Sequence, residues 1–429
     1  MGRGKVHVIM DLNNINQVSD GDVLVTGMTN PDMVPAMRKC AAVICDEGGR
    51  TCHAAIVSRE LGIPCIVGAK NATDVLKDGQ YVTVDSTRGV VYEGDVLNSK
   101  QDEKDEHHSG GVMGITPEIR NLLAPVTATK IYMNLGQPDL IKKHKDLPID
   151  GIGLMRTEFI FTNMIGAHPI HLIKTGQEQL MIDKLVEGIY EVASTVYPKQ
   201  VTVRLSDFRT NEYRGLKGGD EVEPIEANPM IGWRGVARYI SPEYEQGFRL
   251  ECRAIKKVRE ENGLKNIVAM LPFVRTTEEL KRAKEIMAEE GLVQGVDFKI
   301  WIMAEVPSVV MMAEEFAKLV DGFSIGSNDL TQLVMGADRD SEIMNNMGYF
   351  DERNEAVKRA VKVIIDAANK YGKTVSVCGQ GPSQYPEFAE FLVENGITSI
   401  SVNPDTVEYT RRVVAQVEKK LILNKVRND

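Results

Sequence analysis

The second part of the chain repeats one pattern eight times: a short apolar run of strand length is followed by a longer stretch with helical periodicity. Two of the helical stretches read "GQEQLMIDKLVEGIYEVASTVY" and "RNEAVKRAVKVIIDAANKYG". The eight apolar runs are Lys130–Asn134, Gly151–Met155, Val201–Leu205, Ile267–Pro272, Lys299–Ala304, Gly322–Ile325, Thr374–Val377 and Ser399–Val402. Continuous apolar strands are typical of parallel sheets that helices cover. Eight such units in about 300 residues predict an α/β fold, a (β/α)8 TIM barrel.

An open, doubly wound sheet is the main alternative to the barrel. Such a sheet usually carries a glycine-rich phosphate turn directly after its first strand. No turn of this kind occurs near residue 135, after the first apolar run. The longest departure from the repeat is the stretch Asn211–Gly235, which follows the third run. We therefore predict a barrel with an insertion after its third strand.

Residues 1–98 have a different pattern, with short β segments around one or two helices. The β segments are Lys5–Met10, Asp22–Thr26, Ala42–Cys45, Cys65–Val67, Tyr81–Asp85 and Gly89–Tyr92. The charged stretch "NSKQDEKDEHHSGG" then has no apolar period and ends in glycines, a composition typical of linkers. We predict a first domain at 1–98, a linker at 99–125 and the barrel at 126–429. His107 and His108 lie in this linker, where a solvated chain is a better interpretation than a metal site.

Charge and cysteine content exclude several classes of protein. The net charge of −10 argues against a nucleic-acid-binding protein, whose contact surface is basic. No apolar stretch approaches the ~18 residues that a membrane helix needs, so we expect no membrane partner. The six cysteines contain no C-x-x-C pair, so their pattern indicates neither a zinc site nor a disulfide framework. The expected location is a reducing cytoplasm.

The active site of a (β/α)8 barrel lies at the carboxyl ends of its strands. Polar residues at or after the predicted strand ends, and in the insertion, are therefore candidates for one site. They are Arg156, Arg204, Asp207, Arg209, Arg234, Glu305, Ser327, Asn328, Asp329, Cys378, Asn403 and Asp405. Each residue alone has an ordinary explanation, such as a surface ion pair, a helix cap or core packing. Their placement at one rim favours a functional site.

The chemistry of this set indicates an anionic substrate and a divalent cation. Several arginines at one mouth repel one another unless an anion lies between them, and guanidinium groups fit phosphate or carboxylate. Glu305 and Asp329 are carboxylates of the kind that Mg²⁺ uses when it shares its coordination with substrate oxygens. The backbone N–H groups at Gly326–Asp329 suit an oxyanion, and the Cys378 thiol is able to transfer a proton.

The first domain contains a histidine in an unusual context, "DEGGRTCHAAIVSREL", where His53 stands between a glycine turn and an amphipathic run. This stretch alone fits a phosphate-binding turn, a nucleophile, a metal ligand or the start of a capped helix at Ala54–Leu61. These alternatives stay open on the residues of the stretch. Four methionines of the domain are interpreted as core filler: Met10, Met28, Met33 and Met37.

The stretch "GGRTCHAAIVSRELGIPCIVG" resembles the phosphohistidine motif of phosphoenolpyruvate-utilising enzymes. With "VLVTGMTNPDMVPAM" before it and "VTVDSTRGVVYEG" after it, it is most similar to the phosphoenolpyruvate synthase (pyruvate, water dikinase) branch of that family. The barrel carries matching segments in the same order as that branch: "GLMRTEFIF", "VRLSDFRTNEYRGL", "ANPMIGWRGVARYI", "MLPFVRTTEEL", "GFSIGSNDLTQL", "FDERN", "VCGQGPS" and "SVNPDTV". The resemblance covers essentially the whole chain.

The resemblance implies two modules with different tasks. The first is a swivelling β/β/α phosphohistidine domain, in which His53 would carry the phosphoryl group. Thr51, two residues before it, matches the threonine through which family members are switched off by phosphorylation. The second module is the barrel, which would bind phosphoenolpyruvate or pyruvate. Because the histidine must reach two sites, the linker is expected to let the first module move.

The resemblance also assigns the charged residues of the barrel. Arg156 and Arg204 would hold the phosphate of phosphoenolpyruvate, with Arg234 nearby. Glu305 and Asp329 would bind Mg²⁺, the one cofactor that the family implies for these residues.

The remaining implied residues lie next to the substrate. Gly326, Ser327 and Asn328 would line it, and Cys378 would donate a proton to the methylene carbon of the enolate. The chain departs from the family at one position of the Glu305 motif, where Val309 replaces the usual asparagine after Pro-Ser.

The implied activity is phosphoryl transfer between a phosphohistidine and pyruvate or phosphoenolpyruvate. This is the C-terminal part of the synthase reaction, in which ATP, pyruvate and water give phosphoenolpyruvate, AMP and phosphate. In the family an ATP-grasp domain precedes the histidine domain and supplies the phosphoryl group. The sequence begins at the histidine domain and contains no glycine-rich nucleotide loop. We therefore expect an ATP-grasp domain or subunit as a partner.

Three other functions are compatible with parts of the pattern. A pyruvate phosphate dikinase differs mainly in the donor step. Enzyme I of the sugar phosphotransferase system has the same two modules, but it needs a helical docking subdomain, and no segment of residues 1–98 is long enough for one. A non-catalytic assembly subunit would not need the intact set of motif residues. We also expect a homo-oligomer formed through the barrel.

Overall fold

The computed structural model describes residues 1–10, 12–29, 33–49, 52–86, 88–96 and 122–428. Their contacts form two compact units. The first comprises Met1–Gly114 and Asp338–Phe350, and the second comprises Ile115–Ala337 and Asp351–Asp429. Thr51 and most of the predicted linker, with its histidine pair, lie outside the described residues.

The first unit contains a mixed six-stranded sheet in the order β4-β3-β2-β1-β5-β6. Its strands are β1 Gly2–Val8, β2 Val23–Thr26, β3 Ala42–Cys45, β4 Cys65–Ile66, β5 Tyr81–Asp85 and β6 Val90–Glu93. Strands β1 to β4 pair in parallel, and β5 pairs antiparallel with both β1 and β6. The six predicted β segments coincide with these strands to within three residues.

Apolar clusters lie on both faces of the central strands of this sheet, since successive side chains of a strand point to opposite faces. In β2, Leu24 belongs to one apolar cluster and its neighbours Val23 and Val25 belong to the other. Short helices contribute residues to these clusters. They are the 3₁₀ helix Leu12–Gln17 and the α-helices Val34–Met37, His53–Leu61 and Ala72–Val75. The unit also contains the short α-helix Glu342–Asn346.

The interpretation of four methionines as core filler is right for two of them and wrong for the other two. Met33 and Met37 are buried in the first unit. Met10 and Met28 are 76% and 44% exposed, respectively. Each of the exposed pair lies two residues beyond the end of a strand, β1 or β2. The chain has left the sheet there, so the side chain no longer points into either apolar cluster.

The second unit is a closed barrel of eight parallel strands, which confirms the predicted architecture and excludes the open sheet. Its strands are β7 Lys130–Leu135, β8 Gly151–Arg156, β9 Gln200–Arg204, β10 Ile267–Leu271, β11 Ile300–Ala304, β12 Gly322–Ile325, β13 Thr374–Val377 and β14 Ser399–Val402. Strand β14 pairs with β7 and closes the ring. The predicted strands agree with these to within one residue.

Side chains of the barrel strands alternate between the barrel interior and the surrounding helix layer. One small buried cluster consists of Leu154, Val268, Met270, Trp301, Met303 and Cys378. These residues come from strands that are not all neighbours in the ring, so they can meet only inside the barrel. Ile267, Ala269 and Leu271, which alternate with two of them on β10, belong to the larger core between strands and helices.

Helices surround the barrel and connect its strands. The α-helices are Ile141–His144, Glu158–Ile160, Pro169–Lys174, Glu178–Thr195, Thr210–Arg214, Val236–Tyr239, Glu245–Glu260, Thr277–Glu289, Pro307–Met311, Ala313–Leu319, Ser327–Met335, Glu355–Lys370, Gly381–Gln384, Pro386–Glu394 and Val407–Asn428. The 3₁₀ helices are Pro138–Leu140, Pro229–Ile231 and Pro404–Thr406, and Phe161–Ile165 is a π-helix. Among the residues described, no helix is both long and apolar enough to cross a membrane.

Local sequence signals explain where the longer helices begin and end. The helix Glu355–Lys370 starts where the Asn354 side chain accepts a hydrogen bond of 2.9 Å from the Ala356 N–H. It stops just before Gly372, whose φ of +62° lies in the left-handed region that favours glycine. Both helical stretches singled out in the sequence are confirmed as helices, at Glu178–Thr195 and Glu355–Lys370.

Candidate functional site

Three buried carboxylates meet at the carboxyl ends of three barrel strands. Asp207 follows β9, Glu305 comes directly after β11, and Asp329 lies in the first turn of the helix Ser327–Met335 after β12. One oxygen atom of each carboxylate lies within 4.8 Å of the other two. All three side chains are buried. In the described part of the chain, no other group of acidic, histidine or cysteine side chains has this metal-site spacing.

The three carboxylates repel one another in this buried setting. Burial raises the pKa of Glu305 well above its usual range, and Asp207 and Asp329 raise it further. The nearby guanidinium groups of Arg234 and Arg204 oppose this rise. A divalent cation with a preference for oxygen ligands would be bound by such a set and would balance its charge. The donor set therefore fits Mg²⁺ or an ion of the same class.

Arg234, from the insertion after β9, reaches the carboxylates directly. Its Nε and Nη2 donate to the two carboxylate oxygens of Asp207 at 3.0 and 2.6 Å, and Nη2 also donates to Asp329 at 3.1 Å. The guanidinium carbon lies 4.1 Å from the ring centroid of Phe273. A two-pronged contact of this kind fixes the orientation of Asp207. The insertion therefore supplies part of the barrel mouth.

Arg204, at the end of β9, lies in the same network. Its Nη2 donates to Glu158 at 2.8 Å, and its Nη1 is 3.4 Å from an oxygen of Asp207. Glu158 also accepts a hydrogen bond of 2.5 Å from the Asp207 N–H. Arg156 ends the adjacent strand β8, with its guanidinium carbon 5.7 Å from the ring centroid of Phe159. Two strand-end arginines therefore lie at the mouth of the barrel, as the sequence predicts.

A buried ion pair holds the insertion that carries Arg234. Both side-chain nitrogens Nη1 and Nη2 of Arg238 donate to Glu223, which also accepts from Nε2 of His168 at 2.9 Å. The three side chains are fully or almost fully buried. Burial lowers the pKa of His168, whose Nδ1 accepts a hydrogen bond from the Ile170 N–H. The His168 ring is thus neutral, with its proton on Nε2, and Glu223 is the anion that Arg238 requires.

We expect Arg238→Met to destabilise the protein by about 3–5 kcal/mol, because it leaves the Glu223 carboxylate buried without its cation. Urea unfolding of the variant and of wild type measures the difference. The matched double variant Arg238→Met/Glu223→Gln removes the uncompensated charge and should recover a large part of the loss. Equal unfolding midpoints for Arg238→Met and wild type would contradict the assignment of this pair as the anchor.

Cys378 is the first residue after β13, and its thiol points into the barrel. Burial raises the pKa of this thiol to about 11. The Ser324 hydroxyl lowers the pKa, Glu305 raises it, and Arg204 and Arg156 lower it. The Sγ atom lies 3.6 Å from the carbonyl oxygen of Ile325. At neutral pH Cys378 therefore holds its proton, in the electrostatic surroundings of the same arginines and carboxylates.

The segment Gly326–Asn328 lies between β12 and Asp329 of the carboxylate cluster. A Cβ atom at Gly326 would lie only 2.8 Å from an oxygen of Glu305, so a side chain there would displace that carboxylate. The buried amide oxygen of Asn328 has no hydrogen-bond partner among the described residues. The Ser327 hydroxyl donates to Glu352. Ser327 therefore offers its backbone at the start of the helix, while its hydroxyl is already engaged.

Sequence reasoning did not identify the buried acids that support the site. Glu251 accepts hydrogen bonds from the N–H and the hydroxyl of Ser206 at 2.9 and 2.6 Å, next to Asp207. The Tyr239 hydroxyl donates to the carbonyl of the same serine at 2.5 Å. A signal existed for Glu251, because it interrupts the apolar face of the helix Glu245–Glu260. Asp207 was a candidate at its strand end, but its place in the carboxylate cluster was missed.

Other candidate residues have local contacts. Arg209 donates to Glu212 at 2.6 Å and directly precedes the short helix Thr210–Arg214. Asn403 donates to the side-chain oxygen of Gln380 at 2.9 Å. Asp405 lies in the 3₁₀ helix Pro404–Thr406. Val309 is fully buried in the core between barrel and helices, so its position in this chain serves packing.

His53 begins the helix His53–Leu61 of the first unit, with the extended residue Cys52 before it. Gly48, in the preceding turn, has a φ of +100°. A Cβ atom there would lie 2.7 Å from the Cys52 sulfur, so the tight turn requires glycine. The helix start is therefore confirmed at the backbone level. The His53 side chain lies outside the parts of the chain that the structure describes.

Comparisons with known proteins agree with this architecture. Residues 18–89 match the mobile domain of PEP-utilising enzymes, and residues 113–419 match the PEP-binding domain. Relatives include a probable phosphoenolpyruvate synthase of Staphylothermus marinus, 62% identical over 99% of this chain and 51% of the relative. The phosphoenolpyruvate synthases of Aeropyrum pernix and Synechocystis are 58% and 46% identical, over 99% and 98% of this chain and 52% of each relative.

The chain thus spans about half the length of the curated relatives that it matches. The matching domain models together cover both units, and the larger of them alone covers most of the chain. The closed barrel of the second unit agrees with the PEP-binding domain match. The chain belongs to the family of PEP-utilising enzymes.

Proposed function

We propose that this chain transfers a phosphoryl group between His53 and pyruvate or phosphoenolpyruvate. The observation that carries the proposal is the meeting of three carboxylates, two arginines and a protonated thiol at one end of the barrel. The arginines supply charge for a phosphate or carboxylate, and the thiol supplies a proton. Enolate chemistry with a phosphorylated substrate uses both kinds of group.

Glu305 and Asp329 are the proposed ligands of Mg²⁺. Asp207 is held on two sides by Arg234 and contributes the third carboxylate of the cluster. Mg²⁺, when bound, would supply Lewis-acid stabilisation of negative charge on the substrate oxygens. Arg204 and Arg156 would hold the phosphate, and the backbone of Gly326–Asn328 would line the substrate.

The proton balance follows from the state of Cys378. In the direction from phosphoenolpyruvate, the phosphoryl group leaves the enol oxygen for a ring nitrogen of His53, and the enolate of pyruvate remains. The Cys378 S–H then gives its proton to the methylene carbon, which forms the methyl group of pyruvate. The thiolate regains a proton from solvent. In the opposite direction the thiolate removes a methyl proton before the oxygen accepts the phosphoryl group.

The backbone position of His53 suits a phosphoryl carrier. It begins a helix and follows a glycine turn, and the N–H groups at a helix start favour an anion. A neutral imidazole is nucleophilic near neutral pH. The match of residues 18–89 to a mobile domain supports a swivel of this unit between two sites. In the complete reaction that the relatives' name implies, an ATP-grasp domain or subunit would phosphorylate His53 from ATP.

The structure of the first unit favours this proposal over a carrier-protein phosphotransferase. Among its described residues, the longest helix is His53–Leu61, with nine residues. A helical docking subdomain would require longer helices. Regulation through Thr51, assembly through the barrel and a cytoplasmic location stay predictions from the sequence.

The test is exchange of the methyl hydrogens of pyruvate with solvent. Incubation in deuterium oxide with Mg²⁺, followed by proton NMR, should show loss of the methyl signal that depends on both protein and Mg²⁺. Incubation with phosphoenolpyruvate should in parallel give an acid-labile phosphoryl adduct. A chain that binds pyruvate but catalyses neither reaction would support the alternative of a non-catalytic assembly subunit.

We expect Glu305→Gln and Asp329→Asn each to weaken Mg²⁺ binding by about 100-fold or more, since even outer contacts of a metal site contribute 10- to 100-fold. Each change keeps the size of the side chain and removes its charge, so the fold should survive. Calorimetric titration with Mg²⁺ measures the affinity, and circular dichroism checks the fold. Glu285→Gln, at a mostly exposed acid on the outer helix Thr277–Glu289, is the control. Unchanged Mg²⁺ affinity in Asp329→Asn would place the metal elsewhere.

A further inference from the structure

Glu352 is a buried carboxylate that none of the proposed catalytic steps uses. It lies in the segment "FDERN", shortly before the helix Glu355–Lys370, and only 4% of its surface is exposed. Burial of an acid without a cation costs free energy unless hydrogen bonds compensate it. Hydrogen bonds to Glu352 supply this compensation.

The contacts of Glu352 join two loops at the mouth of the barrel. One carboxylate oxygen, Oε1, accepts a hydrogen bond from the hydroxyl of Ser327, the first residue of the helix after β12. Backbone N–H groups of Gln380 and Gly381, in the loop after β13, also donate to the carboxylate. A single side chain therefore connects the loop of Asp329 to the loop of Cys378.

The two loops pack tightly around this carboxylate. A Cβ atom at Gly379 would lie 1.6 Å from the Ser327 hydroxyl and 2.7 Å from Oε1 of Glu352. A Cβ atom at Gly381 would lie 2.5 Å from the other carboxylate oxygen. The glycines let the backbone of the second loop close onto the serine and the carboxylate. The two loops are thus packed through Glu352 at van der Waals distance.

We propose that Glu352 is a positioning residue, which fixes the Cys378 thiol relative to the substrate groups held at Asn328 and Asp329. This inference rests on the proposed function and names a residue that the function had left without a role. Gly379 directly follows the proton donor, and Ser327 directly precedes Asn328. The rate of proton transfer depends steeply on the distance between the thiol and the methylene carbon. The bridge that Glu352 forms between the two loops should therefore affect the rate of this step most.

Side-chain length, and not charge, is what the bridge requires. Glu352→Asp shortens the side chain by about 1.5 Å, one carbon–carbon bond, so the carboxylate can no longer reach both loops. Glu352→Gln keeps the length. Its amide oxygen accepts from the backbone N–H groups, and the Ser327 hydroxyl can accept from the amide N–H. Burial raises the pKa of Glu352 to about 7. The neutral carboxyl group and the carboxylate therefore have similar free energies at neutral pH, so a neutral amide should be tolerated at this position.

The experiment compares Glu352→Asp, Glu352→Gln and the control Glu355→Asp, which makes the same change at an exposed acid three residues along the chain. We expect Glu352→Asp to slow methyl exchange of pyruvate by about 100-fold. Pyruvate affinity, measured by calorimetry with Mg²⁺ present, should stay near wild type. The melting temperature should fall by a few degrees, because the shortened carboxylate loses a buried hydrogen bond. Glu352→Gln and Glu355→Asp should exchange within about threefold of the wild-type rate.

Three results would overturn the proposal. Exchange at the wild-type rate in Glu352→Asp would show that Glu352 does not set the distance between the Cys378 thiol and the substrate. Equal losses in Glu352→Asp and Glu352→Gln would assign the effect to charge. Equal losses of exchange rate and pyruvate affinity would assign Glu352 a merely structural role.

A second measurement separates this inference from the proposed function. Alkylation of Cys378 by iodoacetamide, followed by mass spectrometry, reports the packing of its loop without any turnover. It should be faster in Glu352→Asp than in wild type and unchanged in Glu355→Asp. If wild type itself exchanges no methyl hydrogen, the proposed function fails, while the alkylation rates still decide whether Glu352 holds the loop.

Discussion

The His53→Ala protein is expected to take up no phosphoryl group from phosphoenolpyruvate under conditions that phosphorylate the wild-type chain. The residue begins a helix after a glycine turn, and the reaction has no other proposed acceptor. Intact-protein mass spectrometry after incubation with phosphoenolpyruvate and Mg²⁺ should show one phosphoryl mass on wild type and none on the variant. Acid treatment should remove the adduct, because phosphoramidates hydrolyse in acid.

The same variant separates the two modules. Methyl exchange of pyruvate should continue in His53→Ala, since the barrel removes the proton without the histidine. The control His7→Ala changes another histidine of the first unit, on β1, and should still be phosphorylated. Phosphorylation that persists in His53→Ala, or an adduct that survives acid, would show that another residue is the carrier.

Removal of the Cys378 thiol should have an effect of similar size on the other half of the reaction. We expect Cys378→Ala to slow methyl exchange by about 10²- to 10⁴-fold, the usual contribution of a positioned acid or base. Pyruvate affinity should change little, because the arginines and carboxylates remain. Cys252→Ala, at the other cysteine of the barrel unit, is the control and should keep the wild-type rate. Wild-type exchange in Cys378→Ala would reject the thiol as the proton-transfer group.

The pH dependence of exchange gives an independent check on this thiol. Its pKa is raised to about 11 by burial, so only a small fraction is thiolate at neutral pH. Removal of a methyl proton needs the thiolate, so the exchange rate should rise about tenfold per pH unit below this pKa. The rise should be absent from the residual rate of Cys378→Ala. A wild-type rate that is flat between neutral and mildly alkaline pH would indicate a different base.

The sequence predicted the barrel well because its strands are short, apolar and buried on both faces. Each of the eight runs has this composition, and helices of strong periodicity separate them, so the boundaries agree with the structure to within one residue. The parallel connectivity then places every strand end at one rim. Arg204, Glu305, Asp329 and Cys378 could therefore be assigned to one site without knowledge of any contact.

Contacts between side chains distant in sequence could not be predicted in the same way. Arg234 lies in an insertion without strand or helix periodicity, and its pairing with Asp207 and Asp329 depends on how that insertion folds back. Glu251 and Glu352 are buried acids in segments where an exposed acid is the usual expectation. The sequence shows where such residues stand along an element, but which partner satisfies a buried carboxylate is a property of the packed structure.

The close approach of three acids at the mouth of the barrel would link the stability of the protein to the binding of the proposed Mg²⁺. Asp207, Glu305 and Asp329 lie close together in buried positions, so their mutual repulsion opposes the folding of this region. Mg²⁺ bound as we propose would relieve this repulsion only in the native state, so the free energy of unfolding would rise with the logarithm of the Mg²⁺ concentration. The concentration of Mg²⁺ would then govern the stability of the protein as well as its activity. Molecules that lack ligand would be the first to unfold and be degraded.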